Sequence, residues 1–165
     1  MAVPDTGSNA HAAVARALGR LDAYSFFTLP GHGWNADFAV IGTTGAFLIA
    51  ACDLEGVARV DSRRPTVGNT AVPNLRKLRS GLRRFSARLS DASMFAQVMP
   101  LVCLTRAIAG PPVEGAGVRF VKVDDLAREI SARPGAQSHT RAQAAARVLG
   151  VHIAGDQKRH FTVRG

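Results

Sequence analysis

The sequence contains side chains that could perform catalysis or hold a metal ion. Few of them follow the spacing of a known catalytic or metal-binding motif. Cys52 and His32 are the residue types of a thiol nucleophile and its base, but Cys52 lies in the apolar run AFLIAAC, where no cation is evident to activate a thiolate. There is no GxSxG motif, and no glycine-rich phosphate loop joins a strand to a helix. The histidines show no HExxH or other paired ligand spacing, so no zinc site is predicted. They are His11, His32, His139, His152 and His160.

The strongest chemical signal is a basic segment in the middle of the chain. Residues 63–106 contain nine basic residues and one acidic residue, whereas the rest of the chain contains twelve basic and eleven acidic residues. The net charge of +9 therefore comes almost entirely from this segment. Clustered cations favour nucleic-acid phosphates, so we predict backbone binding without marked sequence preference. The predicted contact residues are Arg63, Arg64, Arg76, Lys77, Arg79, Arg83, Arg84 and Arg88.

The basic segment is also compatible with two roles that involve no nucleic acid. The first is an ordinary solvated face, although such a face usually includes Glu residues near its cations, and no acidic residue occurs between Arg63 and Ser90. The second is a docking surface for an acidic protein. A membrane surface is not predicted, because the leucines of this segment are needed for the core.

The strands and the first helix can be read from periodicity and turn residues. The first helix is expected to be capped by Ser8 or Asn9, with Val14, Leu18 and Leu21 on one face. The GTTG turn joins two apolar strands as a hairpin, so its glycines are predicted to be structural, with a positive φ at Gly45. Strands are predicted at 24–29, 36–41, 46–52, 56–60, 97–105 (interrupted by Pro100) and 118–123.

The basic segment includes a long predicted helix that begins at Pro73. Its apolar residues recur at spacings of three and four, which places them on one face. Residues 61–72 are predicted to form a loop, Asp124 to cap a short helix ending at Ile130, and residues 138–149 to form the last helix. The apolar stripe consists of Leu75, Leu78, Leu82, Phe85 and Leu89.

This order of elements predicts an α/β fold with a mixed β-sheet flanked by helices, because short turns join the early strands and a helical crossover precedes a later one. The 165 residues are divided into a single domain, 1–150, and a basic C-terminal tail, 151–165. The longest apolar run, residues 46–52, is too short to span a membrane. With two cysteines and no signal peptide, the protein is expected to be cytoplasmic.

The segment from Asn35 to Gly56, NADFAVIGTTGAFLIAACDLEG, resembles the nuclease-related domain (NERD) family. In that family an Asn-x-Asp-His segment precedes an apolar strand, a Gly-x-x-Gly turn, and a second strand that ends in Glu-x-Lys. The order of elements is similar over about residues 8–132. The resemblance implies a restriction-endonuclease-like core, in which the Asp and the Glu-x-Lys motif cut DNA with magnesium.

The sequence departs from this pattern where the chemistry is done. Asp37 is at the position of the family's Asp, but Phe38 replaces the usual His, and Ala50 and Cys52 occupy the Glu and Lys positions. The Gly-Glu pair of the family's first helix reads His11-Ala12 here. Ala and Cys cannot supply the oxygen ligand and the ammonium group, so the resemblance implies a degenerate nuclease with no bound metal.

The alternative is an active magnesium nuclease in which other carboxylates replace the missing Glu of the motif as metal ligands. Asp53 and Glu55 follow Cys52, and Arg59 or Lys77 could supply the cation. Strand parity opposes this, because Asp53 has the opposite parity to Ala50. Asp37 could also be structural, capping a turn or pairing with an Arg. The sequence therefore favours a catalytically degenerate domain that binds nucleic-acid backbone, over an active nuclease or a protein-interaction module.

Overall fold

The computed structural model describes residues 6–92, 97–133 and 137–162, which form a mixed α/β fold. The helices are α1 (Thr6–Leu18), α2 (Leu75–Asp91), α3 (Leu126–Ser131) and α4 (His139–Thr162), with 3₁₀ turns at His32–Trp34 and Val123–Asp125. The strands are β1 (Phe26–Pro30), β2 (Phe38–Gly42), β3 (Gly45–Cys52), β4 (Gly56–Arg59), β5 (Thr66–Val67), β6 (Thr70–Ala71), β7 (Val98–Leu104), β8 (Ala107–Ile108), β9 (Val113–Gly115) and β10 (Val118–Lys122).

The main sheet has the strand order β1-β2-β3-β7-β10-β9. Strands β1, β2 and β3 pair antiparallel, β3, β7 and β10 pair parallel, and β9 pairs antiparallel with β10. A smaller sheet has the order β6-β5-β4-β8. The predicted hairpin and the helical crossover into a parallel strand are both confirmed, because α2 lies in the connection between β3 and β7.

The main sheet separates two apolar clusters. On one face, Leu48 of β3 belongs to the same buried cluster as Phe85 of α2. On the other face, Phe47 belongs to a cluster with Val14 of α1 and Ile130 of α3. This alternation of neighbouring β3 residues follows from the two-residue period of a strand. Helices α1 and α2 therefore cover opposite faces of the sheet.

Helix α2 is fixed to the sheet through the loop that precedes β2. The indole of Trp34 is 6% exposed and packs edge-on against Phe85, with ring centroids 4.8 Å apart. A Cβ atom at Gly81 would lie 1.7 Å from the carbonyl oxygen of Trp34, so only glycine permits this approach. Asn35, with φ 57°, donates from Nδ2 to the carbonyl of Lys77 at 3.0 Å. These contacts fix the orientation of the basic helix.

Several sequence-based expectations about boundaries are wrong. Helix α1 begins at Thr6, so Ser8 and Asn9 lie within it instead of capping it, and Leu21 is buried beyond its last residue. Residues 61–72 include β5 and β6, whose two-residue pairings leave no alternation to detect. Helix α4 continues to Thr162, beyond the predicted end at Leu149.

Further details of the loops and caps were only partly predicted. Gly45, in the hairpin turn, has a positive φ of +137°. Pro100 lies within β7, at a position where the ladder to β10 has not yet begun. Asp124 belongs to a 3₁₀ turn, and Asp125 precedes α3 without a side-chain capping bond. In the described part of the chain, every helix is too short or too polar to cross a bilayer.

Candidate functional site

The three positions aligned with the nuclease motif lie together. Asp37, Ala50 and Cys52 all line a cavity of about 90 Å³ between β3 and the start of α2. The backbone N–H of Asp37 donates to the carbonyl of Ile49 at 2.9 Å, just before the first β2–β3 pair, Phe38 with Ile49, so Asp37 lies next to β3. The fold therefore supplies the juxtaposition that a metal site would need, with only one carboxylate in it.

Both oxygens of the Asp37 carboxylate have partners in the protein. Oδ2 accepts a hydrogen bond from the backbone N–H of Ala51 at 2.8 Å. Oδ1 lies 3.4 Å from Nδ1 of His11. The first bond gives Asp37 a structural role at the end of the hairpin, because the N–H of Ala51 gains an acceptor there.

The residues around Asp37 do not fit a magnesium ion. Ala50 offers no ligand atom and Cys52 offers no oxygen, whereas magnesium prefers oxygen ligands. Glu55 forms an ion pair with Arg106 at 2.8 Å, and neither Asp53 nor Glu55 lines the cavity beside Asp37. Within residues 6–92, 97–133 and 137–162, no group of three or more His, Cys, Asp or Glu side chains could hold a metal.

The two thiols are poor nucleophiles in this fold. Cys52 is 5% exposed and Cys103 is fully buried. Burial raises the pKa of Cys52, and it raises the pKa of Cys103 from 9.0 to about 12. Because the thiolate is the reactive form, this disfavours Cys52 as a partner of His32, which lines a different cavity.

The buried Cys103 predicts a loss of stability at alkaline pH. Its pKa is raised in the folded chain, so between pH 9.0 and about 12 the unfolded chain releases a proton that the folded chain keeps. The free energy of unfolding should therefore fall as pH rises through this window, by about 1 kcal/mol per pH unit from this thiol. Urea unfolding under reducing conditions at pH 8 and pH 10.5 measures it. Cys103→Ala protein should show a smaller fall, and an equal fall would contradict the assignment.

The eight predicted contact residues are all exposed and form no ion pair with any described carboxylate. Some arginines elsewhere in the chain do pair: Arg106 with Glu55, Arg119 with Glu129 and Arg128 with Asp125, whereas the exposed Arg16 and Arg20 have no ion pair with a described carboxylate. The cations of the loop and α2 are therefore uncompensated, in contrast to the paired arginines. We call this set the basic surface; it comprises Arg63, Arg64, Arg76, Lys77, Arg79, Arg83, Arg84 and Arg88.

The turn between β9 and β10 lies against α2. Arg79 donates from Nη1 to the carbonyl of Ala116 at 2.6 Å. A Cβ atom at the neighbouring Gly115 would lie 3.4 Å from the carbonyl oxygen of Ser62, next to Arg63 in sequence. Strand β9 thus approaches the backbone at residues 60–62, and the turn that follows it contacts α2. On the opposite flank of α2, Arg84 donates from Nη2 to the carbonyl of Gly33 at 3.3 Å.

An open cleft of about 460 Å³ between α1 and the loop before β2 was not predicted as a site. His11 is 52% exposed, and its ring lies against Phe38 with centroids 4.4 Å apart. His32 lies on the same cleft. No local spacing could have revealed this, because only the packing of α1 on the sheet brings His11 to Asp37. We call it the histidine cleft; its lining is His11, Thr28, Leu29, Pro30, His32, Ala36, Asp37 and Phe38.

Comparisons with known proteins do not assign the chain to a family. Protein-family models, curated proteins and solved structures gave no significant match. The likeness to nuclease-related domains therefore depends on the motif residues themselves. The function has to be argued from the side chains of the site and from their contacts.

Proposed function

We propose that this protein is a nuclease-related domain that has lost metal-dependent catalysis and binds nucleic-acid backbone through the basic surface. The observation that carries the proposal is the exposure of eight cations with no described carboxylate partner. Uncompensated cations on one helix and the adjoining loop match the regular negative charge of a phosphate backbone.

The chemistry of the basic surface favours binding without sequence preference. Phosphate contacts position a protein on nucleic acid, whereas contacts to base edges specify a sequence. The aromatic side chains on and beside α2, Phe85 and Trp34, are buried against each other, so neither can stack on bases. Binding should therefore be electrostatic and strongly dependent on salt.

A salt titration of duplex DNA binding tests the proposal. If four to six residues of the basic surface meet phosphates, the logarithm of the association constant should fall against the logarithm of the salt concentration with a slope of about −4 to −5. Fluorescence anisotropy with two labelled duplexes of unrelated sequence measures slope and preference together. Undetectable binding at low salt would instead indicate a solvated face or a surface that docks an acidic protein.

The same protein should not cut DNA with magnesium. The position that needs a second carboxylate is Ala50, and Cys52 is where the ammonium group would be. We expect no nicking of supercoiled plasmid with Mg²⁺ or Mn²⁺, measured on agarose gels. Nicking that disappears in Asp37→Ala protein would contradict this and support the alternative, in which Asp53 or Glu55 completes an active magnesium site.

A further inference from the structure

The histidine cleft contains an imidazole that a carboxylate orients. In the tautomer that carries its proton on Nδ1, His11 donates toward Oδ1 of Asp37, at 3.4 Å, because an ionised carboxylate can only accept hydrogen bonds. Asp37 is itself held by the N–H of Ala51, and the His11 ring rests on Phe38. An imidazole fixed in this way through Nδ1 presents Nε2 as a base, and the carboxylate stabilises the cation formed when that base takes a proton.

The second imidazole of the cleft belongs to the loop that contacts the basic helix. His32 is exposed and has no ion pair with a described residue. It begins the 3₁₀ turn in which Gly33 accepts the Arg84 hydrogen bond and Trp34 packs on α2. The 32–34 turn therefore connects the histidine cleft to α2, the helix that carries most of the basic surface.

General acid–base catalysis by two imidazoles is sufficient for a phosphodiester that carries its own nucleophile. RNA meets that condition because its 2′-hydroxyl is adjacent to the phosphorus, and DNA lacks this group. General acid and general base catalysis by positioned histidines is each worth about 10²- to 10⁴-fold in rate. The residue types of the histidine cleft therefore favour RNA over DNA as the substrate of acid–base cleavage.

We propose that the histidine cleft cleaves RNA by metal-independent transphosphorylation; this proposal rests on the nucleic-acid binding proposed above. Nε2 of neutral His11 takes the proton of the 2′-hydroxyl as O2′ attacks phosphorus and the O2′–P bond forms. The P–O5′ bond breaks, and protonated His32 donates its proton to the departing O5′. The products are a 2′,3′-cyclic phosphate and a 5′-hydroxyl end, and no oxidant or reductant is needed.

The test uses the full chain, excess EDTA, and an end-labelled single-stranded RNA beside a DNA of the same sequence. We expect RNA cleavage that leaves 2′,3′-cyclic phosphate ends, and no DNA cleavage. His11→Gln and His32→Gln should each lower the rate by about 100-fold or more without changing the salt dependence of RNA binding. His139→Gln, which alters an imidazole stacked on Tyr24 outside the cleft, should cleave normally and controls for a general effect of replacing a histidine; the His11→Gln and His32→Gln preparations control for contaminating ribonuclease.

The outcomes separate this inference from the proposed function. Salt-dependent RNA binding with no cleavage in EDTA would overturn the inference and leave the binding function standing. Cleavage that persists in His11→Gln and His32→Gln proteins would overturn it as well. Absence of both binding and cleavage would overturn both proposals.

Discussion

Replacing Arg76 and Arg83 together by Gln should weaken binding to duplex DNA by about 100-fold at 0.1 M salt. Each phosphate contact contributes nearly one unit to the salt slope, so the loss of two contacts should flatten the slope by about two units. Because 0.1 M is one decade below 1 M salt, each unit of slope corresponds to about a tenfold difference in affinity between these two salt concentrations. Anisotropy titrations of both proteins across a range of salt concentrations measure the slope and the affinity.

Arg79 is spared in this variant because it has a second role. Its Nη1 bonds the carbonyl of Ala116, so a triple change that includes Arg79 would also release the turn between β9 and β10. The matched control is Arg16→Gln with Arg20→Gln, two exposed residues of α1 and the turn after it. Helix α1 covers the opposite face of the sheet, so this pair removes the same charge elsewhere. An equal loss of affinity in the control would mean that only net charge matters.

Gly81→Ala should destabilise the protein by about 3 kcal/mol, although alanine is the better helix former. Within an exposed helix this substitution would stabilise by about 1 kcal/mol. Here the new Cβ would lie 1.7 Å from the carbonyl oxygen of Trp34. The atoms that clash belong to the α2 backbone and to the Trp34 backbone, so a side-chain rotation cannot relieve the clash. Moving α2 away from the 32–34 turn would also separate Phe85 from Trp34. Urea unfolding followed by circular dichroism measures the change.

Gly110→Ala is the matched control for this substitution. A Cβ atom at Gly110 would meet nothing within 4 Å, so its stability should stay within about 0.5 kcal/mol of the parent protein. If Gly81→Ala protein were as stable as the control, α2 would not be fixed against the loop as described. DNA binding by the protein would then not depend on the contact between α2 and the loop at Trp34.

The sequence predicted the parts of the fold that repeat over many residues. The three-four stripe of α2 is confirmed, with Leu78, Phe85 and Leu89 buried, and so is the hairpin turn at Gly45. Such patterns can be recognised because a helix or strand repeats its apolar residues with one period over a long stretch of sequence. The strands β5 and β6 escaped prediction because two residues cannot display a period.

The contacts that shape the candidate sites could not be predicted, because they join segments far apart in the chain. From the sequence alone, Gly81 is a residue that destabilises a helix. The structure shows that it allows the Trp34 carbonyl to approach α2. From the sequence alone, His11 is an exposed residue of the first helix. The structure shows that it lies next to Asp37. Asp37, Ala50 and Cys52 could be brought together in advance, since the hairpin register alone makes the two strands neighbours.

The concentration of cations on α2 and its loop has a kinetic consequence. The uncompensated cations cluster on α2 and its loop, while the cations around α3 are neutralised by Asp125 and Glu129. A polyanion approaching by diffusion would exert a torque on this uneven distribution and turn the basic surface toward itself before contact. Encounters would then begin in the productive orientation, so added salt should slow association more than it speeds dissociation.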